Sequence, residues 1–348
     1  MMHRPPTFIA ILPGAAIAGA LGCAAEPDVT VVTEALTCSG FGCHDNSPII
    51  AGAPFYELEN SGMFNTRDLA VVDLRSASGM SFRLDVQQAR MVGLDNLNRI
   101  ALDTPGMSNA VIELVDRAGH SWQLEVVEIG SIAFWAKPAG FATTYRLKVR
   151  RPPSDDYDLC SNPPDPARWP GNVFHAILFE GDRYDPVKKT VSATGAAAAG
   201  WFNIACAGTA TAKLHLARHT ESSAADPMNP TDQVHRQAML RAYTAAMCSG
   251  SSSFTVMNEK LGIADDQGVF EDSLNFNNVE ALWDDQGVVC LEEQRLVHPE
   301  GVLQPEADLI RAQITPQCGV PRPCSGGLGF PGFPASWKLH SLVITTNP

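Results

Sequence analysis

Apolar and polar side chains alternate most clearly over residues 144–150, where Tyr145, Leu147 and Val149 stand between Arg146, Lys148 and Arg150. A period of two puts one face of a strand on a core and a basic face in water. Trp122, Leu124 and Val126 repeat the pattern, and residues 110–115 join it across Asp116-Arg117-Ala118-Gly119-His120. That break is rich in turn residues and its glycine can take positive φ, so the pair predicts a hairpin. Strand spacing makes residues 49–152 a mainly antiparallel β domain. At Arg151-Pro152-Pro153-Ser154-Asp155-Asp156 two prolines and two acids stop any ladder, which sets a domain boundary and opens a second unit over 153–348.

The rhythm then changes. Residues 173–179 and 184–191 predict another hairpin about Glu180-Gly181-Asp182-Arg183, and 205–217 take a helical period. A longer helix is predicted over 230–247. Asn229 can cap it, Pro230 in the first position loses no needed donor, and Asp232 sets negative charge against the positive end of the dipole. Val234, Ala238, Ala242 and Ala246 recur every four residues beside Met239, Tyr243 and Met247, making one apolar face that Ser249-Gly250 terminates. Asp265-Asp266-Gln267-Gly268 recurs as Asp284-Asp285-Gln286-Gly287. Glycine stands fourth in each run where a calcium loop needs it sixth, so both read as turns. A Gly/Pro-rich stretch at 329–334 precedes a last apolar strand at 339–344. The fold class is α+β: an N-terminal antiparallel β domain followed by a disulfide-braced α+β domain.

The 348 residues are 45% hydrophobic and 18% charged, which excludes a disordered, collagenous or coiled-coil chain. Asp and Glu number 38 against 25 Lys and Arg, a formal charge of −13. A surface of that sign repels phosphate backbones, and no basic run with interleaved aromatics appears, so nucleic acid is excluded as a partner.

At the N-terminus His3 and Arg4 precede an apolar run over 8–21 broken by Pro13 and Gly14. This is short for a bilayer span and matches an export signal over 1–22. The run closes on Ala20-Leu21-Gly22-Cys23, which resembles the lipobox of bacterial lipoproteins, with Ala20 where leucine is usual. The resemblance implies lipidation at Cys23, a tether with a first cysteine loop over 23–48, and a membrane partner reached through the lipid anchor. Ala24 stands where an aspartate would favour inner-membrane retention, so the expected location is the outer membrane, periplasmic or surface-facing. An envelope protein or a glycan is the candidate partner there.

Eight further cysteines, Cys38, Cys43, Cys160, Cys206, Cys248, Cys290, Cys318 and Cys324, are an even set suited to an oxidising compartment and read as up to four disulfides. Cys38 with Cys43 and Cys318 with Cys324 are close enough to staple their own loops, which leaves the other four to pair among themselves. Cys38 to His44 has the order of a haem attachment site, but with four intervening residues instead of two; it reads as a disulfide loop, and no cofactor is expected. No nucleophile elbow, Walker loop, His-Glu-x-x-His or dinucleotide fingerprint is present, so no catalytic residue is assigned. His215 and His219, one helical turn apart, are the candidate metal ligands, with Glu221, His235 or His298 as a third; the plainer reading makes them polar residues on an exposed helix side. Asp155, Asp156 and Asp158 around Tyr157 read as solvated linker acids.

Residues 239–255, Met239-Leu240-Arg241-Ala242-Tyr243-Thr244-Ala245-Ala246-Met247-Cys248-Ser249-Gly250-Ser251-Ser252-Ser253-Phe254-Thr255, resemble the signature of the ADYC domain of bacterial exported proteins, in which a helix ends in Ala-Asp-Tyr-Cys. Ala246 and Met247 replace the Asp and Tyr. Residues 201–213 around Cys206, with Glu280-Ala281-Leu282-Trp283 and Val289-Cys290-Leu291-Glu292, extend the likeness over about 158–300. The resemblance implies an envelope protein of unknown activity and carries over no catalytic residue. The expected function is therefore a non-catalytic envelope lipoprotein with a binding or structural role, the alternative being an exported hydrolase or metalloprotein built on His215 and His219.

Overall fold

The structure is a computed structural model and describes residues 49–50, 53–54, 56–66, 68–137, 139–150, 157–160, 171, 174–185, 188–223, 232–251, 261–266, 279–291, 312, 314–324 and 339–343. Strands β1 (Ile49–Ile50) and β2 (Ala53–Pro54) pair with each other, and β3 (Tyr56–Glu59) follows. A meander then runs through β4 (Leu69–Arg75), β5 (Ser81–Gln87), β6 (Arg90–Leu94) and β7 (Ile100–Leu102). Next come β8 (Val111–Asp116), β9 (Ser121–Ala133) and β10 (Phe141–Arg150), with β11 (Tyr157–Asp158) on the edge of β10. The expected hairpin is β8 with β9, Val111 opposite Glu125 and Val115 opposite Ser121. Its turn is held by Asp116 Oδ1, which accepts from the backbone N–H of Ala118 and of His120 at 2.9 Å, and by Gly119 at φ 84°.

After this come β12 (His175–Glu180), β13 (Asp182–Asp185), β14 (Thr190–Thr194) and β15 (Trp201–Cys206). The hairpin expected between 173–179 and 184–191 is corrected: β13 pairs with β14, while β12 pairs with β10 on one side and β15 on the other. The boundary at residue 152 is corrected too. One eleven-stranded sheet, in the order β3-β15-β12-β10-β9-β8-β4-β5-β6-β7 with β11 attached to β10, takes strands from both sides of it. The prolines stop β10 locally, yet β3 pairs along its length with β15, far on in the chain.

The large sheet curls until β3 meets β4 and β12 meets β5 and β6. Its concave face holds one core, with Leu58, Leu74, Leu84, Leu124, Tyr145, Leu147, Val149, Leu178, Phe202 and Ile204. The convex face of β12 and β15 holds a second core. Along β12 the two alternate, Ala176 and Leu178 pointing into the first, Ile177 and Phe179 into the second. A strand buried on both faces has no polar period, so β12 reads as a continuous apolar run.

The second core is closed by helices α1 (Ala210–Leu216) and α2 (Gln233–Thr244) and by a four-stranded sheet of β16 (Leu261–Asp265), β17 (Val279–Asp284), β18 (Gly287–Leu291) and β19 (Leu339–Val343), ordered β16-β19-β17-β18. Helix α1 is shorter than expected because residues 201–206 belong to β15. Helix α2 is capped by Asp232, whose carboxylate accepts from the His235 N–H at 2.9 Å; Asn229 and Pro230 lie outside the described residues. It ends at Ala245 in the left-handed region, φ 46°, with Ala246 N–H donating to the Arg241 carbonyl and Ala245 N–H to that of Ala242. That is a Schellman closure with alanine in place of the usual glycine.

The polar side of α2 does not face water. Gln237 accepts from the Val191 N–H and donates to the Lys189 carbonyl, taking the place of a strand beside β14. Arg236 pairs with Asp182 at 3.1 Å, and Arg241, 2% exposed, donates to the carbonyls of Lys188, Cys248 and Asp285. Each substitutes for water that burial removes.

Candidate functional site

His215 and His219 lie in the second core, and both are 0% exposed. The reading of an exposed helix side is corrected, because α1 packs between the large sheet and α2 and all seven of its residues are buried. The His215 ring stacks on Phe179 at 4.9 Å, and its Nδ1 lies 2.9 Å from Thr220 Oγ1, which donates onward to Ser223 Oγ at 2.7 Å. Burial, with Arg218 nearby, pulls its pKa down to about 3, so the imidazole is neutral at physiological pH. His219 Nδ1 donates to the Ala217 carbonyl at 2.7 Å, leaving Nε2 facing Asp265 Oδ2 at 3.3 Å.

The proposed third ligands do different work. His235 is held between Asp232 Oδ1 at 2.8 Å and Asp266 Oδ1 at 2.5 Å. Glu221 accepts from the Gly195 N–H, and His298 lies outside the described residues. The adjacent acids Asp265 and Asp266 thus each meet one histidine, pinning the end of β16 to the segments after α1 and at the start of α2. Asp284 behaves as the turn expected, accepting from Gln286 and Gly287 N–H between β17 and β18. Among the described residues, no group of three or more His, Cys, Asp or Glu is arranged to hold a metal ion.

A different place offers room for a ligand. At one end of the curled sheet an apolar pocket of about 250 Å³ is lined by Leu58 of β3, Leu69 of β4, Leu114 of β8, Leu124 of β9, Val149 of β10 and Ile204 of β15. Leu159 and the aromatic rings of Trp122 and Tyr157 complete the wall, and Asp116 is the acid in it. Cross-strand register builds the enclosure: Leu114 stands opposite Trp122, Leu124 opposite Val149, Val149 opposite Tyr157, and Leu69 opposite Asp116. The Asp116 carboxylate is held down to about 2, chiefly by the His120 N–H and also by the imidazole of His120 at 2.9 Å, and so is ionised. Sequence reasoning missed the pocket because its residues come from seven strands. The one local trace was the alternation through Trp122 and Leu124. Tyr157 and Asp158, read as linker, form β11: Asp158 accepts two hydrogen bonds from Arg146 at 2.8 and 3.0 Å. Asp155 and Asp156 lie outside the described residues.

Among the described residues three disulfides brace these parts: Cys160–Cys206, Cys248–Cys318 and Cys290–Cys324. The expectation that Cys318 and Cys324 close their own loop and leave Cys160, Cys206, Cys248 and Cys290 to pair among themselves is corrected, holding only for Cys160 with Cys206. The segment they bound spans from the end of α2 to β18, where the Leu291 N–H donates to the Arg322 carbonyl, so each cysteine meets a different partner. Cys160–Cys206 fastens the pocket residue Leu159 next to β15, the strand of Ile204. Cys23, Cys38 and Cys43 lie outside the described residues.

The family model described as the ADYC domain matches residues 105–297, from before β8 to beyond β18. No curated protein matches, and no solved structure does. The matched span starts some fifty residues before the stretch that carried the resemblance, on the near side of the proline boundary. That agrees with a sheet shared across it. Ala245, the alanine that opens the signature, is the left-handed residue closing α2, and Ala246 and Met247 are buried in the second core region where the signature has Asp and Tyr.

Proposed function

This chain belongs to the ADYC domain family, and we propose that it is a non-catalytic cell-envelope lipoprotein that works by binding. The observation that carries this reading is the pocket itself. Among the described residues its wall is leucine, valine, isoleucine and aromatic side chains, with one acid already satisfied by its own turn and no nucleophile beside a base. Apolar concave sites with few polar groups are the usual form of small-molecule sites, and the open end of a curled sheet is one of their usual places.

Anchoring rests on the N-terminal residues: the apolar run of 8–21, Cys23 as the lipid acceptor, and Ala24 after it, with the outer membrane as destination. Among the described residues no helix is long and apolar enough to cross a membrane, and the acyl chains of a lipoprotein hold a chain to a bilayer without one. Radiolabelled palmitate should enter the parent and not Cys23→Ser, which should leave the membrane fraction. An unlabelled parent that still fractionates with membranes overturns the lipoprotein reading. Stoichiometric zinc in purified protein, lost in His215→Ala, would overturn the non-catalytic reading in favour of a metalloprotein.

A further inference from the structure

The pocket at the end of the curled sheet constrains what it can take. An enclosed apolar site of 150 Å³ accommodates benzene, so one of about 250 Å³ admits about ten non-hydrogen atoms. Five of its lining residues are leucines, whose side chains yield by rotamer changes and fit a flexible chain as readily as a planar ring. Leu58, Leu114, Leu124, Val149, Leu159 and Ile204 belong to the core of the concave face, so a guest here continues that core. The polar end of such a guest must lie toward the rim, where the wall carries Asp116, Trp122 and Tyr157, the last 49% exposed.

The rim has a sign. Asp116 contributes a carboxylate, while the nearby Arg117 is turned away, paired with Asp68 and lying over the Phe64 ring at 4.9 Å. His120 sits on Asp116 Oδ2, with its side chain 58% exposed. A carboxylate headgroup at this rim would meet a carboxylate; an ammonium would meet it favourably and could rest on the faces of Trp122 and Tyr157.

Resting on the binding role proposed above, we propose that this pocket takes the aliphatic chain of a small amphiphile with a cationic head, Asp116 selecting the charge and the leucine wall the chain. The full chain carrying Cys23→Ser, purified without detergent, is titrated calorimetrically with decyltrimethylammonium and with decanoate, each below its micellar concentration. The expected result is one site for decyltrimethylammonium, about fourfold weaker for each methylene removed from the chain, and binding of decanoate weaker by about tenfold or more. Asp116→Asn, which keeps the acceptor that the turn needs, should narrow that gap. Leu69→Phe, at the half-buried mouth, should abolish binding of both probes with the melting temperature retained. Equal binding of the two probes, or a gap unchanged in Asp116→Asn, overturns the charge selection and leaves the binding role standing. Failure of both probes to bind the folded parent overturns the pocket as an amphiphile site; binding that persists in a folded Leu69→Phe shows that the amphiphile lies elsewhere on the protein, and overturns it equally.

Discussion

Two buried groups titrate in the same acid window with opposite signs. His215 is held neutral, its pKa pulled from 6.5 to about 3 by burial and Arg218. A depressed histidine contributes stability that is present above 6.5 and lost as pH falls toward 3, since the unfolded chain then binds a proton the folded one does not. Asp182 is pushed from 3.8 up to about 6 by burial, against the pull of Arg236. Its contribution runs the other way, present below 3.8 and lost as pH rises through 6. Between pH 4 and 6 the two proton balances offset, and their joint slope is near zero. His215→Phe keeps the stack on Phe179 and removes one side of the balance, so its stability relative to the parent should fall by about 1.4 kcal/mol per pH unit from 4 to 6. Asp182→Asn should show the reverse slope. Urea midpoints at pH 4.5 and 6 check both; parallel curves for parent and variants would exclude the buried titrations. Neither residue announced this in the sequence, where Asp182 stood in an expected turn and His215 on an expected surface.

At the scale of elements, several are stabilised by residues distant in sequence. The β5–β6 turn is formed by Gln88 and Ala89, both in the left-handed region at φ 52° and 53°, where Asn-Gly is the usual choice. The Glu180 carboxylate at the end of β12 accepts from both of their N–H groups, at 2.9 and 3.1 Å, and so offsets the conformational cost. Glu180→Gln should lower stability by about 1–2 kcal/mol, and adding Ala89→Gly should recover about 1 kcal/mol. A double variant no more stable than Glu180→Gln alone would show that Glu180 does not compensate this turn. Gln237→Leu should cost about 1–3 kcal/mol in a urea titration, because it strands the Val191 N–H and the Lys189 carbonyl in a dry interface. By contrast the β8–β9 turn is held by its own Asp116 and Gly119, which is why that hairpin was legible and the edge of β14 was not.

For the molecule as a whole, the three disulfides among the described residues differ in access. Cys160, Cys206, Cys290 and Cys324 are 2%, 3%, 1% and 7% exposed, while Cys248 and Cys318 are only half-buried. Exchange requires a thiolate to reach a sulfur, so limiting reductant followed by alkylation should label Cys248 and Cys318 first; equal labelling of all six would refute the order. Replacing Cys160 and Cys206 by alanine should cost about 2–4 kcal/mol and, by loosening the segment of Leu159, weaken any guest of the pocket. Urea denaturation combined with the calorimetric titration separates the two effects.

The sequence by itself determined what is settled within a few residues: the period-two strand at 144–150, the hairpin closed by Asp116 and Gly119, the presence of α2 though not its cap, the α+β class and the domain family. Such features depend on hydrogen bonds and side-chain periods between near neighbours, which the order of residues specifies directly. Tertiary structure alone decided which strands share a sheet across the prolines, that β12 and β15 are buried on both faces, that the histidines and arginines of the helices point inward, and which cysteines meet. It also made the pocket. Those outcomes depend on contacts between segments about 30 to 150 residues apart, where a pairing is stable only if the whole arrangement buries apolar area and satisfies the polar groups buried with it.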